Sequence, residues 1–183
     1  MDPFFLPNPI MSVQDAAKNI RKATSDLASA QYTMGTAYFN GTGISPSHVT
    51  AVKWWRNAAD AGDINAQYEM GASYHEGTGI RKDPGKAAYW FRKSAEGGHT
   101  EAQYMLARAY DLGLGVPRTV NESIRFYRKA ANAGHSEAQK ILGTIYMSGD
   151  GVHRDITTGM KWWRRSAARG NLEAQALIDR NVY

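Results

Sequence analysis

The chain has 183 residues, 43% hydrophobic, 21% charged and 11% aromatic. This is a globular composition, too rich in aromatics for a disordered tail and long enough to bury a core. Its formal net charge is +5 and it contains no cysteine, which excludes a disulfide frame, a thiol nucleophile and a cysteine-ligated zinc. No run approaches the ~18 consecutive apolar residues of a membrane crossing.

Residues 1–12 carry Pro3, Pro7 and Pro9 and read as a Pro-rich leader. They show neither a cationic region nor a long apolar run, so they do not read as a signal peptide. The cytoplasm is then the default compartment, with the periplasm or export applying if a longer leader has been trimmed. Residues 13–29 read as an N-terminal capping helix. Within them Gln14 to Leu27 is a degenerate form of a helix that returns later, Ile20-Arg21-Lys22-Ala23 echoing Phe91-Arg92-Lys93-Ser94.

From Ala30 the chain is periodic. The dipeptide Ala-Gln recurs at 30, 66, 102, 138 and 174, in steps of 36 residues. Tyr38, Tyr74, Tyr110 and Tyr146 keep the register, as do Gly62, Gly98, Gly134 and Gly170 and an aromatic pair: Trp54-Trp55, Trp90-Phe91, Phe126-Tyr127 and Trp162-Trp163. Such a period marks a repeat architecture whose units bury their apolar faces by stacking. The four units are residues 30–65, 66–101, 102–137 and 138–173, and residues 174–183 read as a C-terminal capping helix.

Each unit reads as two helices. In the second unit helix A spans about 66–76, with Ala66, Met70 and Tyr74 on one face. Gly71 lies beside them, matched by Gly35, Ala107 and Gly143. A glycine inside a helix costs ~1 kcal/mol relative to alanine, so its return predicts the close approach of a neighbouring helix. The A helices stop at Gly41-Thr42-Gly43, Gly77-Thr78-Gly79, Gly113-Leu114-Gly115 and Gly149-Asp150-Gly151. Helix B begins at Asp83-Pro84, an N-cap followed by a first-turn proline. Thr119 and Glu122 have capping-box spacing in the third unit. Of each aromatic pair, one ring can face its own hairpin and the other the next unit. The prediction is an all-α stack of four helix-turn-helix repeats with a capping helix at each end.

The pattern Ala-Gln-Tyr-x-Met-Gly-x-x-Tyr-x-x-Gly-x-Gly-Ile, then Lys-Ala-x-x-Trp-Phe-x-Lys-x-Ala-x-x-Gly, is similar to the Sel-1-like repeat, a relative of the tetratricopeptide repeat. The resemblance spans residues 30–183. It implies a right-handed α/α superhelix, a solenoid of antiparallel helix pairs with the A helices lining the concave side, and a scaffold or adaptor role rather than catalysis. Bacterial members are often linked to host interaction, secretion systems or envelope signalling. Some carry cysteines that bridge the helices of each unit, and this chain has none.

No constellation for chemistry stands out. His99 and His135 hold the same position in successive units, where Asp63 and Asn171 stand in the others, so they read as N-caps of helix A. Two such rings would sit ~10 Å apart, too far for one zinc. His48 and His153 lie in A–B loops and His75 on helix A, without ligand spacing. Glu101, Glu137 and Glu173 recur in the first turn of helix A, where a negative charge complements the helix dipole. No Gly-x-Ser-x-Gly, His-Glu-x-x-His or phosphate loop occurs, and the Gly-x-Gly pairs follow helices rather than strands. The expectation is a protein without catalytic residues, metal or cofactor.

The excess positive charge lies in the third and fourth units, much of it at Arg128-Lys129 and Arg164-Arg165 in the last turns of B helices. There it favours the helix dipole. A nucleic-acid groove would interleave basic residues with exposed aromatics, whereas these aromatics stand at core positions. An anionic protein partner or a membrane headgroup surface fits the charge equally well.

Positions on helix A that vary between units are free of the packing rule and carry specificity. Offsets +2, +6 and +9 from the recurring alanine form a stripe away from the Met/Tyr core face. They are Tyr32, Thr36 and Phe39; Tyr68, Ala72 and His75; Tyr104, Arg108 and Asp111; and Lys140, Thr144 and Met147. The three tyrosines predict a stacked aromatic ladder, read either as packing between A helices or as a groove for a protein or peptide. The reading is a binding module of the scaffold type. Its alternative is an immunity or inhibitor protein that occludes a bacterial secreted effector such as a lipase.

Overall fold

The structure is a computed structural model, and it describes residues 13–181. Among them are nine α-helices and no strand: α1 (Val13–Asn40), α2 (His48–Asp60), α3 (Ile64–Glu76), α4 (Pro84–Glu96), α5 (Thr100–Leu112), α6 (Val120–Asn132), α7 (Ser136–Ser148), α8 (Ile156–Ala167) and α9 (Leu172–Arg180). Each packs on its sequence neighbours, so the chain is a solenoid in which every unit touches only the next.

Local chemistry fixes the helix starts. The side chains of Asp63, His99, His135 and Asn171 accept the backbone N–H of Ala66, Ala102, Ala138 and Ala174, one cap for each of α3, α5, α7 and α9. Ser47, Asp83 and Asp155 cap α2, α4 and α8 in the same way. Thr119 does not. Its hydroxyl donates back to the Pro117 carbonyl at 3.1 Å, and Glu122 turns to Arg125, so the expected capping box is not formed.

The glycine inside helix A has the expected cause. A Cβ on Gly71 would lie 2.5 Å from Phe91 Cδ1; on Gly35 it would meet Trp55 at 2.4 Å, and on Gly143 Trp163 at 2.3 Å. In these three units the second ring of the aromatic pair therefore lies against helix A of its own hairpin, where a bare backbone leaves room; the third unit carries Ala107 at this position.

Units are joined by a repeated set of bonds. Gln67, Gln103 and Gln139 donate their side-chain amides to the carbonyls of Ala59, Ala95 and Ala131 at the end of the preceding B helix. Arg56, Arg92 and Arg128 donate to the hydroxyls of Tyr74, Tyr110 and Tyr146 one unit on. Between these bonds Ala66, Met70, Ala102, Leu106, Ala138 and Leu142 are fully buried.

The N-terminal end departs from the expected layout. Residues 13–29 are not a separate capping helix, because the chain stays helical from Val13 through the first A helix to Asn40. At the other boundaries the chain turns on Gly62, Gly98, Gly134 and Gly170, with φ between +86° and +97°, a conformation only glycine takes without strain. Residues 24–29 contain no glycine and are one residue shorter than the matching 95–101. Nothing interrupts the helical hydrogen bonds there. At the other end α9 supplies the cap, with Ile178 buried in the Met70 position. Val182, expected in the Tyr74 position, lies outside the described residues, as does the Pro-rich leader.

Candidate functional site

The variable stripe lies along α1, α3, α5 and α7, and its three rows have different surroundings. The +2 row faces the next unit. Tyr68 stacks on His99 with ring centroids 4.6 Å apart, and Tyr104 on His135 at 4.2 Å. The ladder is thus tyrosine on histidine, each ring resting on the cap of the next A helix. The tyrosine-on-tyrosine stack expected from the sequence is not formed.

The +9 row leans on its own helix B. Phe39 meets Trp55 at 5.2 Å and His48 at 4.8 Å, and His75 meets Phe91 at 6.4 Å. Asp111 faces Tyr127 and adds to the burial that holds its hydroxyl above the ordinary range. Met147 covers Gly159, where a Cβ would approach its Sδ to 2.8 Å. The +6 row points outward: Arg108 and Thr144 are exposed, Thr36 and Ala72 half-buried. Thr36 and Thr144 spend their hydroxyls on the carbonyls of Tyr32 and Lys140.

Electrostatics separate the two cations of the stripe. Lys140 is held by Glu137 and Glu173, the latter from the start of α9. Arg108 has no ion pair among the described residues; its guanidinium sits 5.9 Å from the centre of the Tyr104 ring. Around Tyr68 the field is negative. Burial, then Glu101, Glu69 and Glu76, push its hydroxyl up to about 12. Burial likewise raises Tyr104, and Arg108 opposes that rise. The first-turn glutamates do more than complement the dipole. Glu101 accepts from His135 Nε2 at 3.0 Å, and Glu137 from the Asn171 amide at 3.1 Å, so each ties its helix to the cap of the next. Because His135 Nδ1 accepts from Ala138, its Nε2 carries the proton in this arrangement.

His75 and Arg108 meet at a small cleft between the second and third units, floored by Phe91 and walled by Met105, Leu114 and Ala88. Its free space of about 20 Å³ holds one water or the tip of a side chain. That is far below the ~300 Å³ of the smallest typical small-molecule pockets. The stripe did not include Met105 and Leu114, but both stand at positions that vary with the period: Thr33, Glu69 and Ile141 for the first, Thr42, Thr78 and Asp150 for the second. That variation was a usable signal. Phe91 and Ala88 reach the cleft only because helix B starts beside the end of the next unit's helix A.

Among the described residues no group of three or more His, Asp or Glu is placed to hold a metal ion, and no helix is long and apolar enough to cross a membrane.

These rows lie on a helical-repeat scaffold, and comparison with known proteins gives the class a family. The Sel1 repeat matches four times, at residues 28–63, 64–99, 100–135 and 136–171, and the chain belongs to the Sel1 repeat family. Solenoids of this family are typically protein-interaction modules. The chain is similar to c5321, a protective antigen present in uropathogenic Escherichia coli strains displaying an SLR fold. The two are 32% identical with a TM-score of 0.80, over 91% of this chain and 36% of that one. This chain thus spans about a third of c5321. It is also similar to a Sel1 repeat protein from Oxalobacter formigenes, 31% identical with a TM-score of 0.79, over 89% of this chain and 70% of that one. Immunity protein Pa5087 from Pseudomonas aeruginosa shares the fold at 18% identity, with a TM-score of 0.51 over 91% of this chain and 70% of that one. Among curated proteins none matches.

Proposed function

We propose that the chain is a non-catalytic protein-binding module that holds a segment of its partner along the outward row of the A helices, with Arg108 and the cleft beside it as the anchor. The observation that carries this reading is the state of Arg108. It is exposed, without a carboxylate partner, held over an aromatic ring and bordered by apolar Phe91, Met105 and Leu114. An arginine so placed can take a carboxylate through two hydrogen bonds while a short apolar side chain fills the cleft. The partner is then a protein or peptide with an acidic residue next to a small apolar one. Lys140, already neutralised by two glutamates, contributes little to that recognition.

The test is affinity capture from the native cell with the wild-type chain, Arg108→Glu and the surface control Arg165→Glu, read by mass spectrometry. A partner retained by wild type and control but lost with Arg108→Glu supports the reading. Equal capture by all three overturns it.

A further inference from the structure

The first unit exposes a face that every later unit buries. Met34 stands where Met70, Leu106 and Leu142 stand, yet it is 39% exposed while those three are 0% exposed. Ala30 is exposed, while its counterparts Ala66, Ala102, Ala138 and Ala174 are 0% exposed. In the later units this face of helix A lies under the preceding helix B, through the Gln67–Ala59 and Arg56–Tyr74 bonds and their repeats. Tyr38 belongs to the same series as Tyr74, Tyr110 and Tyr146, but no arginine reaches its hydroxyl among the described residues.

The missing helix B is present in the sequence. Residues 16–24 align with 87–95 without a gap: Ala16-Ala17 matches Ala87-Ala88, and Ile20-Arg21-Lys22 matches Phe91-Arg92-Lys93. The shortened, glycine-free connector keeps this segment in line with helix A, so it projects from the solenoid instead of folding back. Its own apolar residues are correspondingly bare, Ile20 at 67% and Leu27 at 60% exposure. Ile20, Leu27 and Met34 are spaced by seven, with Ala16, Ala23, Ala30 and Ala37 each three or four positions away, a narrow seam of the kind that pairs two helices.

We propose that the occupant of this face is a second copy of the same chain, and that the two α1 helices pair antiparallel about a two-fold axis. The B-like segment of each copy then covers the bare A face of the other. The register follows from the interface already built within the chain. Transferring the Arg92–Tyr110 and Gln103–Ala95 bonds places Arg21 opposite Tyr38 of the partner subunit and Gln31 opposite the carbonyl of Thr24 of the partner subunit. The first pair puts the axis between Ser29 and Ala30 and the second between Leu27 and Ala28, so it lies near Ala28 and Ser29, just past the middle of this 28-residue helix. One operation therefore satisfies both bare faces at once along the ~42 Å of α1, as a self-complementary two-fold interface requires. A segment barred from its own chain by a short connector and used by an identical neighbour is the logic of domain swapping.

The experiment is light scattering after size exclusion on the full chain and three variants. The wild type should elute at twice its 20.2 kDa chain mass. Ile20→Glu/Met34→Glu should give the monomer mass with unchanged helical circular dichroism, since neither side chain is buried in the single chain. Replacing residues 24–29 by a copy of residues 95–101 should also give a monomer, because the restored glycine turn lets the segment fold back on its own helix. In this cysteine-free chain Leu27→Cys should cross-link into a covalent dimer on oxidation and Lys18→Cys should not. A wild-type monomer overturns the proposal, as does a dimer that survives both the double glutamate and the connector exchange. Cross-linking at position 18 rather than 27 overturns the antiparallel register.

Discussion

Arg92 Nη2 donates to the Tyr110 hydroxyl at 2.6 Å, joining helix B of the second repeat to helix A of the third. The guanidinium also lies 5.6 Å from the centre of that ring. The same bond recurs at Arg56–Tyr74 and Arg128–Tyr146, so part of the chain's basicity belongs to the stacking of units. Tyr110→Phe removes the hydroxyl and keeps the ring, which is stacked on Phe126. It should lower stability by about 0.5–1.5 kcal/mol, less than a fully buried charged bond because Arg92 is exposed. Chemical denaturation of Tyr110→Phe, Arg92→Met and the double variant measures the coupling; strict additivity would show that the bond contributes nothing.

Gly71→Ala gains up to ~1 kcal/mol of helix propensity but drives a methyl into the Phe91 ring, so it should be net destabilising by about 1–2 kcal/mol. The clash has one partner. In a Phe91→Leu background the same substitution should approach neutrality, and a penalty of equal size in both backgrounds would locate the strain elsewhere.

His99 gives stability a pH dependence. Burial holds its pKa below the ordinary 6.5, against the opposing pull of Glu101, and its Nδ1 caps α5 only while unprotonated. Below pH ~6.5 the unfolded chain binds the proton more readily than the folded one. The contribution is therefore complete above that pH and is lost as pH falls towards the folded-state value. His99→Asn, which installs the cap found at Asn171, should flatten the melting temperature between pH 7.5 and 5.5. An unchanged slope would assign the dependence to other groups.

Tyr104 and Arg108 separate packing from recognition. Tyr104→Ala loses the stack on His135 and should cost about 1–3 kcal/mol of stability. Arg108→Ala leaves the fold within about 0.5 kcal/mol of wild type, as expected for an exposed side chain without an ion pair, and should weaken partner binding by ~1 kcal/mol or more. Calorimetric titration and thermal melts on the same samples check both; stability loss in Arg108→Ala with binding intact would make it a structural residue.

The sequence alone determined the repeat, its length and the helix pair within it, because each rests on local chemistry that returns every 36 residues. Glycine turns, side-chain caps and small residues facing rings act over a few positions and are legible in order. It also singled out the variable stripe of the A helices. Only the tertiary structure decided what those side chains do, because their partners come from the next unit or from helix B. Tyr68 and Tyr104 rest on caps that lie about thirty residues further on, Lys140 is neutralised from α9, and the cleft at Arg108 forms where two units abut. The first helix shows the boundary between the two kinds of knowledge. The echo of helix B in residues 16–24 was readable, but one missing residue and one missing glycine settled its placement through the continuity of the backbone hydrogen bonds.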